Sequence, residues 1–171
     1  MAQGFFGGGS IKSAGRSPLT MIPKCGACGL FKGCESPKMA PAGEGRKKIL
    51  IVGSAPTEKD DSAGRHFVGT GGELLRDTLK SFDVDLRKDC WMTNALICYP
   101  KDSKDPKQID YCRPNLLKAV EALKPRVIIT LGSDALVGLI GHFHRDATGG
   151  VAQWSGWKIP SWDHNAWICP T

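Results

Sequence analysis

Apolar residues fall in short runs that end on glycine or a polar turn, and between them lie stretches with helical spacing. Lys48-Ile49-Leu50-Ile51-Val52-Gly53 is a continuous, partly β-branched run, the pattern of a parallel strand buried on both faces. Residues 91–97 read as a second strand, and residues 125–132 repeat the strand-to-glycine pattern. The leucines of residues 73–80 share one face of a helix. Residues 110–123 form a second amphipathic stretch, with Leu116, Leu117, Val120 and Leu123 on its buried side. Ser133 is placed to cap a further helix running through Ile140. Residues 156–160 and 166–170 read as short strands of a final hairpin or sheet edge. Strands alternating with helices predict an α/β fold with a mostly parallel sheet. Ligands of such sheets sit beyond the carboxyl ends of the strands. Here those ends lead into residues 53–72, the turn after Asn94, and Gly132 with Ser133.

The length of 171 residues predicts one domain with a single core. Residues 1–22, rich in glycine and without periodicity, read as a flexible arm ahead of a domain over 23–171. No apolar run reaches the ~18 residues needed to cross a bilayer, and the opening residues lack the basic flank and apolar core of a signal peptide. The expectation is a cytoplasmic protein in a reducing compartment, with no membrane partner. A net charge of +6 attracts polyanions, of which nucleic acid is the commonest inside cells, although a solvated basic surface accounts for it equally well. Seven cysteines without a secretion signal favour metal or cluster ligation over a disulfide framework.

Four of these cysteines form two separated pairs, Cys25 with Cys28 and Cys98 with Cys112. They make a four-thiolate site only if the fold brings the distant pair back to the first, and such a site binds zinc or an iron–sulfur cluster. Residues 23–45 interleave cysteine with glycine, proline and lysine, and hold too few apolar groups to fold unless a metal centre pins them. Cys34 is close enough to Cys28 to compete as a ligand. Cys90 and Cys169 lie beside strands, where a free cysteine usually acts as a small apolar residue. Residues 53–72 are long for a strand-to-helix connection. Glycines there let the backbone approach a phosphate or base, and the carboxylates of Asp60 and Asp61 could act on water; a solvated acidic turn is the plain alternative. The loop has neither a Walker lysine pattern nor Gly-x-Gly-x-x-Gly, so a nucleotide cofactor is unsupported.

Several motifs taken jointly, in order from about residue 25 to 171, resemble the family-4 uracil-DNA glycosylases, the iron–sulfur branch of that superfamily. The family opens with Cys-x-x-Cys, as does Cys25-Gly26-Ala27-Cys28. Its Gly-Glu-Ala-Pro-Gly and the acidic residues that follow are matched by Gly53-Ser54-Ala55-Pro56-Thr57 and by Asp60-Asp61. Its Gly-Arg-Pro-Phe-Val-Gly is matched by Gly64-Arg65-His66-Phe67-Val68-Gly69, and its Thr-Asn-x-x-Lys-Cys by Thr93-Asn94-Ala95-Leu96-Ile97-Cys98. A later cysteine before a helix is matched by Cys112.

The resemblance implies a three-layer sandwich around a central, mostly parallel four-stranded sheet, and a DNA-repair enzyme that releases uracil from DNA. It implies that Cys25, Cys28, Cys98 and Cys112 hold a [4Fe–4S] cluster. Phe67 would stack on a flipped-out uracil and Asn94 would hydrogen-bond its edge, while backbone around Gly53, Ser54, Ala55, Pro56 and Thr57 lines the pocket. Asp60 or Asp61 would stabilise the cationic sugar or orient the attacking water. The bland alternatives are that Phe67 is core and that Asn94 only bonds a turn. Trp154, Trp157, Trp162 and Trp167 either stack on bases or close a core.

Four departures from the family pattern stand out. The glutamate of its first motif is Ser54 here, and the second glycine is Thr57. A proline is replaced by His66, a titratable group near the pocket. The sequence ends at Thr171, just where the family continues into a His-Pro motif and further helices. The expectations from that ending are a fragment, one half of a split protein completed by a C-terminal chain or a covering protein, or a reduced relative that binds without cleaving. A non-catalytic iron–sulfur binding module and a zinc-stabilised domain of unrelated function are the competing classes.

Overall fold

The computed structural model describes residues 25–101, 105–144 and 151–171, so the expected arm over 1–22 lies outside the described residues. Five strands form one sheet in the order β2-β1-β3-β5-β4, where β1 is Ile49–Gly53, β2 Cys90–Asn94, β3 Val127–Thr130, β4 Ile159–Ser161 and β5 Ala166–Pro170. β1, β2, β3 and β5 are parallel. The sheet is mostly parallel as expected, but it has five strands rather than four, because the short β4 is added at the edge, antiparallel to β5.

Alternation along the strands gives the sandwich its two cores. Leu50 and Val52 of β1 and Ile128 of β3 face a cluster with Leu116, Val120, Leu136 and Leu139. These come from α3, Lys107–Leu123, and α4, Ser133–His144. Ile51 and Met92 face the other way, against Leu75 and Leu79 of α2, Thr70–Lys80. Arg113 of α3 donates from Nη2 to the carbonyl of Leu139 at 3.0 Å, joining the two helices of the first layer.

Two differences from the sequence pattern matter for the site. The second strand stops at Asn94 rather than running to Ile97. Beyond it the N–H groups of Ala95 and Leu96 donate to the carbonyls of Gly53 and Ser54, at 2.8 and 2.9 Å. Leu96 and Ile97 are thereby turned out of the sheet into a third cluster that contains Cys98 and Cys112. The long connection after β1 is also not a plain loop. It contains a short helix, α1, over Glu58–Ala63. Thr57 and Asp60 form a reciprocal capping box at its start, the Thr-x-x-Asp pattern that satisfies the first free N–H groups of a helix.

No helix among the described residues is long and apolar enough to cross a membrane. Trp154 packs against the first core cluster, whereas Trp157 and Trp167 are more than half exposed and Trp162 is 92% exposed.

Candidate active site

A cleft of about 430 Å³ opens beyond the carboxyl ends of β1 and β2, lined by Gly53, Ser54, Ala55, Thr57, Asp60, Phe67 and Asn94, with the start of α2 and Leu131. Its size and position are those of small-ligand sites in open parallel sheets. Of the residues singled out in the sequence, Pro56 and Asp61 are buried behind this lining, and the others named for the pocket border it.

Gly53 ends β1 in a space between two side chains. A Cβ there would collide with Asn94 Oδ1 and come within 3.0 Å of the Phe67 ring. Phe67 is held in an unusual backbone conformation, φ 55°, that non-glycine residues adopt only when their surroundings enforce it. Two contacts do so. Arg76 Nη1 donates to the Phe67 carbonyl at 2.8 Å, and Gly72 packs so close to that carbonyl that a Cβ would strike it.

Asn94 is 2% exposed, and its amide is divided between two environments. Its Nδ2 lies 3.1 Å from His66 Nδ1, and His66 Nε2 lies 2.8 Å from the Ala40 carbonyl. A carbonyl can only accept, so Nε2 carries the ring proton and Nδ1 accepts from the Asn94 amide. Burial pushes the His66 pKa below 6.5, against the opposing pull of the Ala40 carbonyl and Asp60. The remaining amide atom, Asn94 Oδ1, is buried without a hydrogen-bond partner among the described residues. An orphaned acceptor costs roughly 1–3 kcal/mol, which a donor arriving in the cleft would offset. His66 stood out in the sequence only as a departure from a motif. Its partnership with Asn94, 28 residues away, exists only in the fold.

The two aspartates part company. Asp60 Oδ2 accepts from the Thr57 N–H and hydroxyl at 2.9 and 2.8 Å, and Oδ1 from the Val68 N–H at 2.7 Å. It borders the cleft and ties both arms of the loop together. Asp61 faces the opposite way, accepting from the N–H groups of Glu35 and Ser36 at 2.9 Å each. Ser54 Oγ donates to the Leu131 carbonyl at 3.5 Å.

Behind the cleft, Cys25, Cys28, Cys98 and Cys112 line one small cavity with Phe31, Ile97 and Asn115. Ala55 belongs both to the cleft and to the cluster around these cysteines. No group of three or more His, Cys, Asp or Glu among the described residues converges as a single metal ion would require. The donor chemistry nonetheless suits thiolates. The Lys38 N–H donates to Cys98 Sγ at 3.3 Å and Asn115 Nδ2 to Cys25 Sγ at 3.9 Å. Without a cation, burial pushes Cys98 up to about 12 and Cys112 to about 11. Cys34 is close by, its thiol donating to the carbonyls of Leu30 and Tyr99 at 3.2 and 3.4 Å. Cys90 is fully buried in the second core cluster and Cys169 is half-buried on β5.

Residues 40–170 match the Uracil DNA glycosylase superfamily. A type-4 uracil-DNA glycosylase of Pyrobaculum aerophilum is 39% identical over 128 residues, covering 71% of this chain and 63% of the relative. Those of Saccharolobus solfataricus and Archaeoglobus fulgidus are 36% and 33% identical, over 65% and 74% of this chain. The chain spans between 52% and 64% of the length of these three relatives. A sheet with the cleft at the ends of β1 and β2, and a match over most of its length, lead to one assignment: the chain belongs to the uracil-DNA glycosylase superfamily.

Proposed function

We propose that this domain removes uracil from DNA by hydrolysing the N-glycosidic bond of a deoxyuridine turned out of the helix. The observation that carries the reading is the buried, unpartnered Asn94 Oδ1 beside the Phe67 ring at the cleft floor. A uracil slid against Phe67 presents its N3–H donor and O4 acceptor to an amide that accepts through Oδ1 and donates through the second N–H of Nδ2. The relatives named above are uracil-DNA glycosylases, which supports the same substrate class, and a net charge of +6 suits a DNA partner.

In the reaction, water oxygen bonds to C1′ of the sugar as the C1′–N1 bond breaks. The bonding electrons leave with the base, and the proton lost by the water ends on the uracil anion. Positive charge builds on the sugar and negative charge on the base, so fixed charge and dipoles around the cleft set the rate. Glu58 and Asp60 both line the cleft, and Asp60 is the carboxylate that three donors hold in place, which suits it to the sugar side. Both oxygens of Asp61 are occupied by backbone N–H groups on the far side of α1. Asn94 takes the base side, and Phe67 supplies the stacking face.

Cys25, Cys28, Cys98 and Cys112 are the residues that would hold a [4Fe–4S] cluster in this reading. The four thiols line one shared cavity, and an all-cysteine donor set is the kind that holds such clusters. When bound, the cluster would supply a structural clamp that fastens residues 25–34 to the start of α3. Release of free uracil from an oligonucleotide bearing one uracil tests the proposal. Uracil left in place by the brown, cluster-loaded protein would refute it.

A further inference from the structure

We propose that His66 is a positioning residue: its ring holds the Asn94 amide with the oxygen facing the cleft, and so sets which pyrimidine edge the site accepts. The inference rests on the uracil-excision reading above and assigns a role to a residue that departs from the family motif.

Ala40 O can only accept, so the 2.8 Å contact requires a proton on His66 Nε2. A neutral ring has one N–H, so Nδ1 is an acceptor, and the group 3.1 Å away on Asn94 must be its NH₂. Oδ1 is therefore turned to the Gly53 side, where a Cβ would meet it. An asparagine amide with no such partner can rotate by half a turn and exchange its donor and acceptor. The two orientations read different bases. With the oxygen forward, the amide matches the N3–H and O4 of uracil; with the nitrogen forward, it matches the N3 acceptor and amino donor of cytosine. His66 thus fixes by geometry a choice that Asn94 alone leaves open.

The same arrangement ties recognition to the charge on the ring. A protonated imidazole presents N–H at both nitrogens, confronts the Asn94 NH₂ donor to donor, and favours the reversed amide. The groups that face the ring are the Ala40 carbonyl, the Asn94 amide and, from α1, the Asp60 carboxylate. Asp60 favours the charged ring, while burial opposes it.

The test compares wild type, His66→Leu and His66→Gln, cluster-loaded, by kinetics and by long-range ¹H–¹⁵N correlation of the imidazole. Glutamine can donate to Ala40 O and accept from Asn94 without ionising. His66→Leu is expected to lower kcat/KM for single-uracil DNA roughly tenfold, mainly through KM, and to narrow the preference for uracil over cytosine. His66→Gln is expected to restore most of kcat/KM at neutral pH and to lack the fall expected of wild type on acidification. The wild-type spectrum should show Nε2 protonated and Nδ1 bare. A ring protonated at Nδ1 instead, or a glutamine variant that keeps the wild-type acid limb, would overturn the proposal. If wild type released no uracil at any pH, the excision reading would fall. The ring spectrum would then still judge the His66–Asn94 arrangement, which Nε2–H supports and Nδ1–H ends.

Discussion

The backbone N–H of Ser36 donates to Asp61 Oδ1 at 2.9 Å, and this bond joins the cysteine-bearing segment to the helix that borders the cleft. Its twin from Glu35 to Asp61 Oδ2 completes a two-point clamp across 26 residues of sequence. Asp61 is buried while Glu35 is exposed, so the two bonds are partly shielded from water. Asp61→Ala should cost about 2 kcal/mol for two charge-assisted bonds lost and two N–H groups left unpaired. Chemical denaturation reads this directly. A variant as stable as wild type would show that residues 35–36 find other acceptors, and that the clamp contributes little.

Gly53→Ala addresses the cleft itself. Gly53 has an ordinary backbone conformation, so alanine imposes no strain on the strand. Its methyl group would instead collide with Asn94 Oδ1 and crowd the Phe67 ring, where the base is to lie. Uracil excision should fall on the order of 100-fold, as misplacement of a reacting group by about 1 Å does, with the fold retained by circular dichroism. Full activity would place the base elsewhere in the cleft.

Cys98→Ser tests the thiol cavity. Cys98 is buried beside Cys28 and Cys112 and accepts the Lys38 N–H. With one of the four proposed cluster ligands removed, the anaerobically purified variant should lack the brown colour and bound iron that the proposal gives wild type, and should melt at lower temperature. Unchanged iron content would count against Cys98 as a ligand and point to Cys34, its neighbour, instead.

Burial of His66 makes stability depend on pH in a predictable direction. The unfolded chain takes up this proton near 6.5, and the folded chain only at lower pH. Between those values the unfolded state holds more protons, so stability falls as pH drops below about 6.5 and is complete above it. Urea midpoints measured from neutral to mildly acid pH should show that slope in wild type and a shallower one in His66→Gln. Equal slopes would mean that the ring does not titrate differently on folding.

The parallel strands were legible because a strand buried on both faces must be apolar throughout, as residues 49–52 are. The helices α2 and α3 were legible from leucine spacing. The early end of β2 was not, because Leu96 and Ile97 are as apolar as strand residues; they are buried against the cysteines rather than in the sheet. The helix α1 could have been read from Thr57 and Asp60, a capping box at the expected spacing. The motif pointed to Phe67 and Asn94 as a pair, and the fold brings them to the two sides of Gly53. It gave no means of separating Asp60 from Asp61, since neighbouring residues on a helix face different directions. The link from His66 to Asn94 needed the fold, because a contact across 28 residues has no local signature.

The most direct measurement is strand scission at a single uracil. Cluster-loaded protein is incubated with a labelled oligonucleotide carrying one uracil, and hot alkali then cuts any abasic site. Scission at the uracil is expected with wild type, and its loss with Asn94→Ala, whose fold and DNA binding remain. Intact DNA with wild type, or undiminished scission with Asn94→Ala, would contradict the proposed function.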